Sequence, residues 1–190
     1  MARPTAIREL LDYIIRMQTE VVAAFGDDDF PDPAPPASAA AIARAEAHAG
    51  FRFPPSYREF LEVADGVRNV ANEMDLVGVE DMLGRESASL TDELRNLGWR
   101  IGERLLVEGF IIGCRPGRRS VFVIDRSVEA DDHGEHPVVY WSDQEVMRDD
   151  SFRAFLQQWC DVVDELLADA REKARETPRG YPIRRPPPSS

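Results

Sequence analysis

Apolar side chains recur at steps of three and four at both ends of this chain and switch to near-continuous β-branched and aromatic runs between residues 105 and 141. That switch constrains the fold most, because a 3.6-residue stripe and a two-residue pleat bury apolar atoms in incompatible ways. At the start, Ile7, Leu10, Leu11, Ile14, Ile15, Val21, Val22 and Phe25 make one helical stripe, with Pro4 near its beginning. At the far end, Phe152, Phe155, Leu156, Trp159, Val162, Val163, Leu166, Leu167 and Ala170 make another, capped by Asp150 or Ser151. Between them, Leu105-Leu106-Val107, Phe110-Ile111-Ile112, Ser120 to Asp125 and Pro137 to Trp141 read as three or four strands. Pro116-Gly117 reads as a hairpin turn and Glu129 to Gly134 as an acidic loop, and connections this short join antiparallel neighbours. The pattern predicts a single α+β domain, a mostly antiparallel sheet with helices packed on one face.

The rest of the chain divides around that plan. Residues 1–26 are expected to be a helix packed on the domain, and 27–37, with Asp27-Asp28-Asp29 and four prolines, an extended linker or wrapping loop. Ser38 is a candidate N-cap for an alanine-rich helix that Gly50 stops, and Pro54-Pro55 opens a second with Tyr57, Phe60, Leu61 and Ala64 inward, ended by Asp65-Gly66. Met74 to Val77 reads as a short strand, and 79–98 as short helices and loops with Leu90, Leu94 and Leu97 inward. The main domain is drawn over 38–172, and 173–190, basic and proline-rich, as a disordered tail.

Charge excludes some functions. The net charge is −12, and residues 171–190 hold six basic against two acidic side chains, so residues 1–170 carry −16. Such a field repels phosphate backbones and favours cationic partners, so nucleic acid is not expected as a partner. Two cysteines, Cys114 and Cys160, make neither a disulfide framework nor a four-ligand zinc pattern, and reduced cytosolic thiols are expected. No apolar run has the length of a membrane span or a signal core, so the expected location is the cytoplasm, without a membrane partner.

Candidate chemistry is sparse. Asp131-Asp132-His133-Gly134-Glu135-His136 could in principle hold a divalent metal, and His133-Gly134-Glu135 fits half of a zinc-deaminase signature. The other half, Pro-Cys-x-x-Cys, is missing, so a solvated loop is the better reading and no metal or cofactor is expected. Asp27-Asp28-Asp29 and Asp149-Asp150 lack the contrasting environments that separate carboxylate pKa values, and read as exposed groups able to meet a basic partner. His48 sits at a helix end, where the dipole favours it. Trp99, Trp141 and Trp159 read as core or rim aromatics, with Trp141, at a strand end, a candidate anchor for a partner. Glu73, Asp75, Glu129, Asp131 and Asp132 are the acidic positions expected near a partner-binding surface, and no catalytic residue is assigned.

The segment from Ile42 to Gly66 resembles the opening motif of the SUKH superfamily, the Smi/Knr-like domains. Glu46, Gly50, Pro54, Tyr57, Phe60, Leu61 and Gly66 stand at its motif positions. Gly109 to Asp125 and Ser151 to Leu156 resemble its later elements more loosely, and the chain departs from the pattern at Phe53 and in the 127–136 loop. The resemblance implies an α+β domain without catalytic residues. It further implies an immunity protein that binds a bacterial toxin, such as a nuclease or deaminase, or else a regulatory scaffold like the fungal relatives.

Overall fold

The computed structural model describes residues 4–71, 73–115 and 119–176. Helix α1 (Ile7–Phe25) buries the expected stripe and ends where Gly26 takes the left-handed conformation. The next segment is strapped to the domain: β1 (Asp32–Pro33) pairs with β2 (Val67–Ala71), and Ala34 N and Ala37 N donate to the carbonyls of Gly66 and Leu61. Helix α2 (Ala39–Ala49) starts under the Ser38 hydroxyl, which accepts from Ala41 N at 3.2 Å. Helix α3 (Pro55–Val63) follows after five residues.

Strand β3 (Met74–Leu76) lies beside β2, and a long excursion then leaves the sheet through α4 (Val79–Met82), α5 (Arg85–Ile101) and α6 (Arg104–Glu108). The chain returns as β4 (Phe110–Cys114), β5 (Val121–Ile124), β6 (Val138–Trp141) and β7 (Glu145–Asp149), and closes with α7 (Phe152–Glu176). Ser151 is the cap of α7, its hydroxyl accepting from Ala154 N at 3.1 Å. Among the described residues seven strands stand in chain order and every neighbouring pair is antiparallel; β4 to β7 follow one another through short connections, whereas β1–β2 and β3–β4 are joined through helices.

Two cores flank the central strands. On one face Phe122, Ile124 and Val138 pack with α1, α3 and α7, where Tyr57 meets Phe152 edge-on at 5.1 Å and Phe122 meets Trp159 at 4.8 Å. On the other, Val121, Val123, Val139 and Trp141 pack with Leu94 of α5 and Leu105 and Leu106 of α6. The fold class is the expected one, but the helices cover both faces. The physical reason stands in β5, whose four residues are all buried: a continuous apolar run needs a cover on each side.

Other details differ from the sequence expectation. Leu105-Leu106-Val107, expected as a strand, is helical: an apolar triplet between Arg104 and Glu108 is too short for its period to show, and the Glu103 side chain caps the helix by accepting from Leu105 N at 3.2 Å. Residues 85–101 form one helix in place of several. Strands β1, β2 and β7 are absent from the sequence expectation: β1 lies in the segment expected to be an extended linker or wrapping loop, and β7 is an edge strand, largely exposed, with too few apolar residues to announce itself. Helix α7 runs to Glu176, past the domain boundary drawn at 172, and the Pro116-Gly117 turn and residues 177–190 lie outside the described residues.

Candidate partner-binding surfaces

The motif residues build a rigid corner. Gly50 closes α2 in the left-handed conformation (φ +72°), and Glu46, one turn earlier, reaches across it. Its Oε1 accepts from Phe53 N at 2.9 Å and from Arg58 Nη1 at 2.7 Å, tying the end of α2 to the start of α3. Pro54 and Pro55 preset the entry into α3, whose Tyr57, Phe60 and Leu61 are fully buried. After α3, Gly66 adopts φ +92°, and a Cβ there would lie 2.7 Å from Gly78 N and 2.8 Å from the Leu76 carbonyl. Asp65 uses the same close approach: its Oδ1 accepts from Val79 N at 2.6 Å and caps α4.

The acidic loop between β5 and β6 is docked on this corner. Glu135 accepts from Ser56 N and from the Ser56 hydroxyl, both at 2.8 Å, so its carboxylate sits on the first turn of α3. Asp131 shapes the loop by accepting from His133 N and Glu135 N, and the Glu135 amide above all holds its carboxyl below the usual range. His136 Nδ1 lies 3.2 Å from the Asp125 carbonyl oxygen. Glu129, Asp131 and Asp132 are exposed beside a groove of about 530 Å³, lined by Arg52, Arg58, Glu59, His133 and His136 among others. Glu135 is thus a helix cap, a role the sequence hid because Ser56 lies 79 positions away. Among the described residues no three His, Cys, Asp or Glu side chains converge to hold a metal ion.

Glu73 and Asp75 lie elsewhere. Asp75 stands opposite Cys114, and Cys114 opposite Val121, whereas the acidic loop starts beyond Ile124 at the far end of β5. The two expected acidic groups therefore occupy opposite ends of the strands. Around Glu73 and Asp75, Asn69 at φ +46° is the hub: its N–H donates to Asp75 at 2.7 Å, its amide donates to the Asp29 carbonyl, and its Oδ1 accepts from Gln18 and from Glu73 N. Asp29, Arg68, Asn69, Glu73 and Asp75 line a shallow cavity of about 330 Å³. Burial pushes the Asp75 carboxyl up, and Glu73 is paired with Arg115.

Trp141 is not the exposed anchor it was expected to be. It is 5% exposed, because its face of β6 lies under α5 and α6. The exposed tryptophan is Trp99, at 70%, near the end of α5 and close to exposed Ile101. The sequence reading grouped it with the core or rim aromatics, and only the packing of α5 shows that it is exposed.

What the geometry defines is an α+β domain on a meandering antiparallel sheet, with motif residues that act as staples of its corner. A family model, the SMI1 / KNR4 family (SUKH-1), matches residues 36–158. The chain belongs to that family. A search of curated proteins found no match. No helix among the described residues is long and apolar enough to cross a membrane.

Proposed function

We propose that this chain is a non-enzymatic binding domain, an immunity protein that neutralises a cognate bacterial toxin in the cytoplasm by direct contact. The observation that carries the reading is the SUKH-1 match over residues 36–158, a family in which toxin-binding immunity proteins are common. Two features support it. The conspicuous polar residues have structural duties: Glu46 and Glu135 fasten α3, Asp65 caps α4, and Asp125 holds Arg148 and Ser127. The acidic body also suits a basic target, because a nuclease must be basic to hold phosphates and opposite charge accelerates encounter.

A regulatory scaffold of the Smi/Knr type is the second reading, favoured by the basic segment 171–190 as an additional contact. Co-expression decides between them. The C-terminal domain of the protein encoded beside this one, produced in a test bacterium, should stop growth, and this chain should restore growth through a stable complex. A toxic domain that it neither binds nor relieves would overturn the immunity reading.

A further inference from the structure

Helices α1 and α7 lie side by side and run in the same direction. Arg153 Nη1 donates to the Thr5 carbonyl at 2.9 Å, the Tyr13 hydroxyl donates to Asp164 at 2.7 Å, and Arg171 meets Glu20 at 2.6 Å. Val21, next to Glu20, packs with Leu167 and Ala170. Positions rise together along both helices, so the last turn of α7, with Lys173 and Arg175, comes level with the last turn of α1. The chain therefore leaves Glu176 beside the Phe25 to Asp32 turn.

That turn is both apolar and acidic. Phe25 and Phe30 are each 45% exposed, and Asp27, Asp28, Asp29 and Asp32 are all exposed between and after them. It is also fixed in place: Asp27 N donates to the Val22 carbonyl at 3.1 Å, and the Asn69 amide holds the Asp29 carbonyl. Residues 177–190 are its complement, with Arg179, Arg184 and Arg185, the apolar Tyr181 and Ile183, and no acidic side chain. At about 3.3 Å per extended residue, Arg179 can reach roughly 10 Å from Glu176 and Arg185 roughly 30 Å.

We propose that residues 177–190 dock in cis on the Phe25–Asp32 turn, arginines against the aspartates and Tyr181 and Ile183 against the two phenylalanines. Attachment at Glu176 gives the segment an effective concentration in the millimolar range, so a weak contact suffices. Because Asp29 also lines the cavity with Glu73 and Asp75, the docked segment covers that acidic end and competes with any basic partner approaching it. The proposal is independent of what that partner is.

The test uses the full ¹⁵N-labelled chain alone, at low salt and at about 1 M salt, where the screening length is ~3 Å. In the unaltered chain at low salt, the amides of 179–185 should show the heteronuclear NOE of ordered residues. The triple variant Arg179→Glu, Arg184→Glu, Arg185→Glu should lose that order and shift the amide signals of Phe25 to Asp32, and high salt should do the same. Adding Asp27→Arg, Asp28→Arg and Asp29→Arg to the triple variant should restore the order. Free-chain NOE values for 179–185 at low salt would overturn the proposal, as would signals of Phe25 to Asp32 that ignore the tail substitutions. The altered residues are all exposed or in the segment itself, and unchanged core signals report an intact fold.

Discussion

Single side chains hold the corner of this domain, and their effects separate by environment. Glu46 is mostly buried and satisfies both a backbone N–H and a guanidinium, so Glu46→Ala should destabilise the fold by about 1.5–3 kcal/mol, the range for hydrogen bonds to charged groups. A lower urea midpoint at constant m value would show it. The two aspartates flanking the sheet should behave oppositely. Burial acts to raise the pKa of Asp125, but the Ser127 hydroxyl and Arg148, at 2.7 Å, outweigh it and hold the carboxyl below the usual range. A depressed folded pKa contributes stability above the unfolded value of ~3.9 and loses it as pH falls through the folded one. Asp125→Asn should therefore cost about 2 kcal/mol at pH 7 and lose less than the unaltered protein on acidification below about pH 4. Asp149 is pushed up, by burial first and then by Asp150, so its ionised form is disfavoured when folded. The stability tied to its protonated form is complete below the unfolded pKa and gone once pH exceeds the folded value. Asp149→Asn should be neutral or stabilising at pH 7, and a clear loss in a thermal melt would contradict this assignment.

Among the elements, the acidic loop between β5 and β6 gains its position from one remote contact. Glu135→Ala should cost about 1 kcal/mol, the usual value of a lost helix cap, and should speed amide exchange across 126–137 while leaving β5 and β6 protected. Ser56→Ala in a double-mutant cycle should show coupling, whereas additive losses would mean that the loop is held by something else. The elements also differ in how visible they were beforehand. Helices α1 and α7 carry stripes long enough for their period to be unmistakable, and Ser38, Gly50, Pro55 and Ser151 mark boundaries by local chemistry. Helix α6 was hidden because five residues show barely one helical period, and β2 and β7 because polar residues, Arg68-Asn69 in one and Glu145 and Arg148-Asp149 in the other, leave them without an apolar run.

At the scale of the whole molecule, charge and its placement govern recognition. Under the immunity reading, reversing Glu129, Asp131 and Asp132 or reversing Glu73 and Asp75 tests two opposite ends of the strands separately. Only the end that meets the toxin should lower the association rate several-fold and weaken its salt dependence, as stopped-flow mixing would measure; no change from either would place the contact elsewhere. The sequence by itself determined the α+β class, the antiparallel meander, the corner from Glu46 to Gly66 and the acidic body, because period, caps, connection length and charge are local or additive properties. Tertiary structure alone decided that α5 and α6 cover the second face, that Trp141 is buried while Trp99 is exposed, that Glu135 caps α3, and that the acidic groups lie apart. These depend on which distant residues the sheet register and helix packing bring within a few ångströms, and no spacing along the chain encodes that.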